Sequence, residues 1–461
     1  MQKVCLLNIG CKVNQYEIDG ILNQLKDGFE VTTQLEVADV YIVNTCAVTT
    51  EAERKSRQVL SKIEKLNKDA IIYVCGCASQ HNPQQFAGKK GVVYVTGNAG
   101  KGKIAKQIKD NKPLVETLGE DKMEGGNKTA ESLKKTTEGD LVVERTTLDS
   151  ANVENNGEKR LNMACSIPKE YEDDLMATNV RTRGYVKIQD GCNNYCAYCL
   201  IPYVRGFSRS RPLASVVQEA TILSKTCEEL VITGINISDY KIDGKLALGE
   251  VLKALSNLKA RIRLGSIEVN IITDEFLKIA SRMPNFCPQF HLSLQSGSDK
   301  VLKDMNRHYT SQEYFDKVCL VRKYFPQASI TTDIIVGYPT ETEELFEETL
   351  NFVKKVKFSH IHFFAYSSRP GTRASKLPQI AGDIIKAREK RLKLVADELE
   401  RDYISQFVGK TMEVLIEEKK KDLYNGYSRN YIRVYTAKPV KCGECVQLIG
   451  KKPYLDGILA D

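Results

Sequence analysis

The fold is decided by one ten-residue stretch, Gly191-Cys192-Asn193-Asn194-Tyr195-Cys196-Ala197-Tyr198-Cys199-Leu200, in which three cysteines stand at C-x-x-x-C-x-x-C spacing. Thiolates at this spacing can ligate three irons of one cubane cluster from a single loop, and the fourth iron is then open to a small molecule. The alternative is a zinc knuckle or a chance run of buried cysteines. Zinc usually needs a second Cys or His pair, and none lies nearby in the sequence. The stretch therefore predicts an iron–sulfur cluster with an open iron.

The rest of the composition is ordinary for a globular chain. The 461 residues are 42% hydrophobic and 27% charged, which fits about three domains. No apolar run approaches the roughly 20 residues of a membrane span, and the first residues lack a secretory signal, so we expect no membrane contact and a cytoplasmic location. Fourteen cysteines then favour metal sites over disulfides, and the net charge of +8 permits an anionic partner such as RNA.

Residues 1–115 alternate strand and helix signals, which predicts a doubly wound parallel α/β sheet. The strand signals are 4–9, 37–43, 71–74 and 91–96, and the helical ones are 15–26, 50–66 and 99–110. Each of the first three strands is followed by a cysteine, namely Cys11, Cys46 and Cys77. Since ligands gather at the carboxyl ends of parallel strands, these thiolates can meet and hold a second cubane cluster. The alternative is that they are buried core cysteines.

Two further cysteines of this region are weaker candidates. Cys5 lies within the first strand and is assigned to the core. Cys75 stands two residues before Cys77, and only one of the pair can easily be a ligand. Cys77 is preferred because a glycine precedes it, as a glycine precedes Cys11.

Several of these stretches resemble a known family. The loop with Cys192, Cys196 and Cys199, and with Tyr198 before the last cysteine, resembles the cluster loop of the radical S-adenosylmethionine (SAM) enzymes. Its continuation through 200–206 resembles the radical-SAM methylthiotransferases. Segments 10–17 and 44–49 resemble the branch of that family which acts on N6-threonylcarbamoyladenosine in tRNA. Glu17 stands where the isopentenyladenosine branch usually has Asp.

The middle of the chain divides into a linker and a barrel. Residues 116–180 are rich in Lys, Glu, Asn, Thr and Gly, and they predict a flexible linker with one short strand at 141–143; Cys165 is given no role. Residues 181–408 carry six strand signals separated by helical stretches, at 184–189, 230–233, 263–267, 290–294, 330–336 and 361–366. This pattern predicts a partial (βα)6 barrel with its active site at the strand ends. The cysteine loop follows the first strand, as the radical-SAM fold requires.

The resemblance implies that polar residues at these strand ends bind SAM. The expected contacts are Tyr198, Thr233, Gly234, Asn236, Ser266, Glu268, Gln295, Arg307 and Asp333. Arg307 suits the SAM carboxylate because its guanidinium presents a fork of donors. The alternative for each residue is an ordinary polar group of a loop. The five histidines show no metal spacing, and His360 and His362, on one face of a strand, are assigned to packing.

The C-terminal part predicts a small antiparallel β-barrel. A long amphipathic helix at 383–406 precedes residues 409–461, where five short strand signals at 411–417, 423–427, 431–435, 443–449 and 454–459 resemble a TRAM domain. Residues 426–433 mix aromatics with arginines, which can stack on bases and meet phosphates. The alternative is a strand with solvated basic residues. Cys442 and Cys445 lack partner ligands nearby and are assigned to a non-functional turn.

Together these resemblances imply a tRNA methylthiotransferase that adds a methylthio group to carbon 2 of N6-threonylcarbamoyladenosine next to the anticodon. The implied cofactors are SAM and two 4Fe–4S clusters, one on the loop cysteines and one on Cys11, Cys46 and Cys77. The loop cluster would reduce SAM to generate a 5′-deoxyadenosyl radical, and the second cluster would deliver the sulfur. The implied partners are the tRNA anticodon loop, a reducing electron donor and a sulfur source.

Three alternatives stay open at this point. The same chemistry can act on isopentenyladenosine in tRNA or on a ribosomal protein. A radical-SAM enzyme of another class can carry structural cysteines in its N-terminal domain. A non-enzymatic RNA-binding protein can hold structural zinc.

Overall fold

A computed structural model describes residues 1–110, 162–177 and 181–461 of the chain. The N-terminal domain is a six-stranded parallel sheet in the order β2-β1-β3-β4-β5-β6. Its strands are β1 (Lys3–Asn8), β2 (Glu30–Thr32), β3 (Val40–Thr45), β4 (Ile71–Gly76), β5 (Val92–Thr96) and β6 (Asn162–Ala164). Its helices are α1 (Lys12–Leu25), α2 (Thr50–Leu66), α3 (Cys77–His81), α4 (Gln84–Ala87) and α5 (Lys103–Lys109). Separate hydrophobic clusters cover the two faces of the sheet, which confirms the doubly wound prediction.

The local sequence explains where these elements begin. The side chain of Thr49 accepts a hydrogen bond from the amide of Ala52 and caps α2, whose first turn is acidic. Helix α1 begins after Cys11, which makes no side-chain cap, so its thiol is left beside the helix N-terminus. The short edge strand β2 was not predicted, and the second predicted strand begins three residues later than expected, at Val40.

The segment predicted as a linker contributes to this sheet. Strand β6 pairs in parallel with β5, so residues 162–164 belong to the N-terminal domain rather than to a free connector. The residues after β6 pack back on the domain: the backbone carbonyl of Leu175 accepts a hydrogen bond from the Tyr16 hydroxyl at 2.6 Å. Cys165, also in this segment, packs at the edge of a hydrophobic cluster of the sheet. The predicted strand at 141–143 lies outside the described residues.

The central domain is a half-barrel of parallel strands, as predicted. The strands are β7 (Arg183–Asp190), β8 (Arg209–Ser210), β9 (Glu229–Gly234), β10 (Lys241–Ile242), β11 (Lys245–Leu246), β12 (Arg261–Leu264), β13 (Ser266–Ile267), β14 (Gln289–Leu292), β15 (Ser329–Val336) and β16 (His360–Ala365). The parallel neighbours are β7-β9-β12 and β13-β14-β15-β16, while β8 runs antiparallel to β7. The single strand predicted at 263–267 is divided at Gly265 into β12 and β13.

Helices cover the outer face of the half-barrel. The short α6 (Ile201–Arg205) packs instead against the N-terminal domain. The covering helices are α7 (Leu213–Leu223), α8 (Leu248–Leu255), α9 (Asp274–Arg282), α10 (Asp299–Asp304), α11 (Ser311–Tyr324), α12 (Glu343–Val356) and α13 (Gly382–Ser405). Short 3-10 turns stand at Ile237–Asp239, Val269–Ile271 and Ala374–Lys376. The largest hydrophobic core of the molecule lies between these helices and the strands. Within the described residues, no helix has the length and apolar character needed to cross a bilayer.

The C-terminal domain is a closed five-stranded barrel. Its strands are β17 (Thr411–Lys420), β18 (Leu423–Ser428), β19 (Arg433–Thr436), β20 (Cys445–Tyr454) and β21 (Gly457–Ala460). The predicted antiparallel pairing holds for four neighbours, but β19 and β21 pair in parallel and close the barrel. Cys445 lies in β20, and Cys442 is exposed just before that strand.

An arginine cluster joins this barrel to the central domain. Glu229, at the start of β9, is fully buried, and its carboxylate pairs with Arg261 at 2.6 Å, Arg263 at 2.8 Å and Arg183 at 3.2 Å. Arg261 also donates to the backbone carbonyl of Tyr427 at 2.9 Å. Arg263 donates to the backbone carbonyls of Ser428 at 3.1 Å and Arg429 at 3.0 Å. The buried carboxylate thus orients guanidinium groups that donate hydrogen bonds to the main chain of the barrel.

Candidate active site

The cysteine loop leaves the carboxyl end of β7 and is held by its own backbone. Gly191 has φ +72°, and a Cβ there would lie 2.0 Å from a backbone carbonyl oxygen, so the turn needs glycine. The amide of Cys192 donates to the carbonyl of Gly206 at 3.1 Å, and the amide of Cys199 donates to the carbonyl of Cys196 at 3.0 Å. These bonds hold the three thiols on one short turn.

The surroundings of the loop disfavour the ionised form of its thiols unless a positive charge lies nearby. Burial raises the pKa of Cys192 to about 11 and that of Cys199 to about 12. Arg307 lies beside the remaining thiol of the loop, that of Cys196, with its Nη1 3.5 Å from Sγ. Buried thiols give up their protons when a metal neutralises the thiolates, so metal binding here would release protons.

The three N-terminal cysteines lie at one edge of the sheet, as their positions after β1, β3 and β4 predict. The strands that they follow are adjacent in the sheet. Burial raises the pKa of Cys46 to about 12, and the thiols of Cys77 and Cys11 act in the same direction. Cys75 instead lies inside β4, fully buried in the core beneath α1. We refer to Cys11, Cys46 and Cys77 as the N-terminal cysteine set, and to Cys192, Cys196 and Cys199 as the loop cysteine set.

Gly76 forces the chain to turn at the N-terminal cysteine set. Its φ is +108°, and a Cβ there would lie 2.4 Å from both the Asn44 side chain and the carbonyl of Thr45. The Asn14 side chain donates to Asn44 at 3.0 Å and to the carbonyl of Thr45 at 2.9 Å. The polar residues that flank the cysteines therefore tie the three strand ends together.

A buried ionic network joins the N-terminal cysteine set to the residues that flank the cysteine loop. Arg205, at the end of α6, is fully buried; its Nε donates to Sγ of Cys77 at 3.2 Å, and its Nη1 lies 3.0 Å from both Glu17 and Asp190. Lys187 pairs with the same two carboxylates, at 3.2 and 2.6 Å. Burial opposes ionisation of Glu17, but the positive charges of Arg205, Lys101 and Lys187 hold the pKa of its carboxyl well below the usual range.

The sequence did not single out this network. In the sequence, Glu17 distinguishes two branches of a family, and Arg205 is one residue of the stretch 200–206 that resembles the methylthiotransferases. The available signal was the charged residue type in positions between apolar neighbours, as in Val186-Lys187-Ile188 and Val204-Arg205.

Some of the predicted SAM residues lie against the loop cysteine set. Arg307 Nη1 is 3.1 Å from the carboxylate of Glu268, and the side chain of Asn194 donates to the same oxygen at 2.5 Å. Tyr198 packs in a small hydrophobic cluster behind the loop. The buried side chain of Asn236 lies near Cys192.

The other predicted SAM residues lie farther along the strand ends. Thr233, Gly234, Ser266 and Asp333 line a cavity of about 710 Å³, and the Asp333 carboxylate lies 3.0 Å from Nε2 of His291. Gln295 has φ +72°, and its main chain bonds to β15; it is not among the described residues that line this cavity.

The cavity lies where the three domains meet. Cys11 and Lys12 contribute from the N-terminal domain, and Tyr427, Tyr431 and Arg433 contribute from the barrel. His291, His360 and His362 also line it, so the two histidines assigned to packing face this cavity as well. Its volume suits a nucleotide-sized ligand.

The segment 426–433, predicted to meet RNA, faces the central domain. Tyr427 and Tyr431 stack on each other with ring centroids 4.5 Å apart, and the guanidinium of Arg183 lies over both rings. Arg429 donates to backbone carbonyls of the central domain at 2.6 and 2.7 Å. These contacts account for the segment as part of a domain interface and of the cavity wall.

The donor chemistry of the two sets fits iron–sulfur clusters. Each set offers three thiols, all fourteen cysteines are free of disulfides, and in each set an arginine N–H points at one sulfur. Hydrogen bonds to cluster sulfurs are one way in which proteins tune such clusters. Within the described residues, no group of three His, Cys, Asp or Glu side chains is arranged to hold a single metal ion. The ligand role of each cysteine is therefore taken up below as a proposal.

Comparison with known proteins agrees with this architecture. Residues 186–353 match the model of the Radical SAM superfamily, and residues 3–97 match that of Uncharacterized protein family UPF0004. The solved structure of the radical S-adenosylmethionine methyltransferase TsrM from Kitasatospora setae, with cobalamin and a [4Fe-4S] cluster bound, superposes with a TM-score of 0.54. It covers 81% of this chain and 77% of its own at 15% identity, so the similarity concerns the fold alone. Fold and cysteine loop together define a radical-SAM protein, and proteins of this class use SAM and a 4Fe–4S cluster.

Curated relatives narrow the class. The chain is 34% identical to threonylcarbamoyladenosine tRNA methylthiotransferase MtaB of Bacillus subtilis over 94% of this chain and 90% of the relative. It is 33% identical to MtaB of Aquifex aeolicus over 97% and 100%. It is 30% identical to tRNA-2-methylthio-N(6)-dimethylallyladenosine synthase of Thermodesulfovibrio yellowstonii over 96% and 95%. The chain belongs to the radical-SAM methylthiotransferase family.

Proposed function

We propose that this protein is a transferase that adds a methylthio group to carbon 2 of N6-threonylcarbamoyladenosine next to the anticodon of tRNA. The observation that carries the proposal is the cavity between the domains. Cys11 of the N-terminal set lies on one wall, and strand ends of the half-barrel, where radical-SAM chemistry takes place, form another. A base bound there would contact both the N-terminal cysteine set and the strand ends of the half-barrel.

The residues around the loop cysteine set would hold the cofactors. Cys192, Cys196 and Cys199 would ligate a 4Fe–4S cluster. Glu268, which bonds to both Arg307 and Asn194 beside Cys196, would bind the polar end of SAM together with them. The fork of Arg307 would bind a carboxylate, and Glu268 would accept from an amino group.

The N-terminal cysteine set would ligate a second 4Fe–4S cluster. When bound, the two clusters would supply an electron for cleavage of SAM and the sulfur of the product. Arg205 would fix the Cys77 sulfur through its N–H, and Glu17 and Asp190 would hold the guanidinium in place. We also infer a reducing electron donor and a sulfur source as partners, because each turnover consumes an electron and a sulfur atom that this chain does not regenerate.

The tRNA substrate is consistent with the charge of the barrel. Lys419 and Lys420 end strand β17, and Lys421 begins the turn to β18. The ammonium of Lys419 lies 4.9 Å from the ring centroid of Tyr424. Lysines and an aromatic ring on one exposed turn suit a nucleic-acid backbone and its bases. A target base in the single-stranded anticodon loop can be splayed out into the cavity at little cost. Such a substrate places the enzyme in the cytoplasm.

The proposal is tested on anaerobically reconstituted holoenzyme with SAM, dithionite and sulfide. The substrates are matched anticodon stem-loop RNAs carrying N6-threonylcarbamoyladenosine, dimethylallyladenosine or unmodified adenosine. We expect mass spectrometry of the digested RNA to find the 2-methylthio product from the first RNA. Product formed only from the dimethylallyl RNA, or from none of the three, would overturn the proposal.

A matched pair of variants separates the site from general damage. Cys192→Ser removes a proposed ligand, whereas Cys319→Ser changes an exposed cysteine on α11. We expect the first variant to lose the product and the second to keep it. Binding to the RNA should also weaken with rising salt, since phosphate contacts release counterions. Affinity that does not fall between low and moderate salt would count against tRNA as the partner.

A further inference from the structure

The cavity carries more positive groups than its own carboxylates neutralise. Four side chains with fixed positive charge line it, namely Lys12, Arg183, Arg263 and Arg433. The three arginines are all engaged. Arg183 pairs with Glu417 at 2.6 Å and with Glu229 at 3.2 Å, Arg263 pairs with Glu229 at 2.8 Å, and Arg433 pairs with Asp456 at 2.9 Å.

The histidines of the cavity wall do not add a free charge. His291 contacts Asp333 at 3.0 Å, and His360 contacts Glu400 at 2.8 Å. Burial lowers the pKa of His362 to about 4, and the charges of His360, His291 and Lys12 act in the same direction. His362 is therefore neutral at physiological pH.

Lys12 differs from these groups. Its side chain is exposed to the cavity, and within the part of the chain that the structure describes it has neither a hydrogen bond nor an ion pair. It directly follows Cys11 at the start of α1, so its position is fixed by the same turn that places the N-terminal cysteine set. An unpaired ammonium beside the proposed sulfur-delivering set is suited to bind an anion.

The chemistry of the substrate indicates which anion this is. The threonylcarbamoyl group on N6 ends in a carboxylate, whereas the dimethylallyl group is a hydrocarbon. N6 and carbon 2 lie on the same edge of adenine, on either side of N1, so a group on N6 extends past the carbon that receives sulfur. A cation next to the N-terminal cysteine set is then within reach of that carboxylate when carbon 2 faces the set.

We propose that Lys12 binds the carboxylate of the N6 substituent and so selects a carboxylated adenosine over a hydrocarbon-bearing one. The inference rests on the proposed function and adds to it a specificity-determining residue. Three carboxylates line the cavity, and each already has a partner: Asp333 bonds to His291, Glu400 to His360 and Asp456 to Arg433. Lys12 is thus the cavity cation that a substrate carboxylate meets without displacing a protein partner.

The test compares Lys12→Ala and Lys12→Arg holoenzymes with wild type on two stem-loop RNAs. One carries N6-threonylcarbamoyladenosine, and the other carries the same group with its carboxylate replaced by a carboxamide. We expect Lys12→Ala to raise the KM and the Kd for the carboxylate RNA about 10- to 100-fold, as the loss of a charged hydrogen bond does, with a smaller change in kcat. Lys12→Arg should restore most of the affinity.

The carboxamide RNA separates the effect of the negative charge on the N6 substituent from that of its shape. Wild type should bind it more weakly than the carboxylate RNA, by a factor like that of the Lys12→Ala substitution, and Lys12→Ala should bind the two RNAs alike. Lys26→Ala, which removes an exposed charge at the other end of α1, should behave as wild type. Discrimination that survives in Lys12→Ala would overturn the role of Lys12 while leaving the proposed function intact. Absence of methylthio product from wild type on the carboxylate RNA would overturn both.

Discussion

Nε of Arg205 lies 3.2 Å from Sγ of Cys77, although the two residues are 128 positions apart in the sequence. The arginine belongs to the helix that follows the loop cysteine set, and the sulfur belongs to the N-terminal set. Glu17 and Asp190, one from each domain, hold the guanidinium from the other side. One buried guanidinium therefore joins the N-terminal cysteine set to Asp190 and α6, which flank the cysteine loop.

Arg205→Lys should weaken the N-terminal set specifically. A lysine keeps the charge but cannot donate to the sulfur and to both carboxylates from fixed directions. We expect the reduction potential of the N-terminal cluster to become more negative, and the free energy of unfolding to fall by about 1.5–3 kcal/mol, the usual range for a charged hydrogen bond. Redox titration followed by electron paramagnetic resonance measures the first quantity, and chemical denaturation measures the second.

Arg57→Lys provides the control for that exchange. Arg57 is partly exposed and donates to Gln85 at the surface of the N-terminal domain. We expect it to change neither quantity. An unchanged potential in Arg205→Lys would show that its N–H does not act on the cluster.

Iron and sulfide content should divide equally between the two cysteine sets. Two cubane clusters correspond to about eight irons per chain, and replacing Cys192, Cys196 and Cys199 by Ala should leave about four. Replacing the N-terminal set should also leave about four. Wild type with about four irons that fall to none in the loop variant would mean that the N-terminal cysteines are structural.

Gly76→Ala should disturb the N-terminal set through the backbone. The new Cβ would lie 2.4 Å from Asn44 and Thr45, at a φ of +108° that side chains rarely adopt. We expect a loss of about 1–3 kcal/mol in the free energy of unfolding, with a lower iron content of the N-terminal set. Gly88→Ala is the matched control, because a Cβ there meets nothing within 4 Å. Equal stability of the two variants would contradict this account of the turn.

Glu229→Gln should loosen the C-terminal barrel and alter the response to acid. Burial opposes ionisation of Glu229, but Arg263, Arg261 and Arg183 hold its pKa well below the usual range. A lowered pKa in the folded state stabilises the protein above the unfolded pKa of about 4.3, and this contribution is lost as the pH falls toward the folded pKa. At pH 7 the variant should lose about 3–5 kcal/mol, because it leaves buried guanidinium groups without their carboxylate.

Thermal unfolding across a pH series measures this effect. The difference between wild type and Glu229→Gln should be full at pH 7 and should shrink below about pH 4.3. Glu250→Gln, at an exposed pair with Lys253, should stay close to wild type throughout. A constant difference at all pH values would exclude the charge of Glu229 as its cause.

The sequence predicted the elements whose signals are local. The helix predicted at 50–66 agrees with α2 to the residue, because Thr49 caps a helix of clear periodicity. The positions of the N-terminal cysteines followed from the rule that parallel strands end at one edge. The pairing of β6 was missed, because three residues carry little pattern and their partner strand is distant in sequence.

The parts of the site that were missed depend on contacts between distant segments. Arg205 gains its role from Glu17 and Cys77, and no local pattern connects these residues. His360 and His362 look like packing residues in the strand, and their place on the cavity wall depends on the barrel that closes the opposite side. Lys12 directly follows Cys11 in the sequence, but its lack of a partner can be recognised only when every neighbouring carboxylate has been located.

The arginine cluster around Glu229 holds the barrel by carbonyl oxygens of Tyr427, Ser428 and Arg429. Every residue type has such an oxygen, so this attachment constrains the path of the main chain and leaves most of the barrel's outward side chains free to vary. Arg183 adds side-chain contacts with Glu417, Tyr427 and Tyr431, so the barrel can diverge away from these positions without rebuilding the joint. New RNA preferences could arise on its surface while the catalytic half of the molecule stays unchanged.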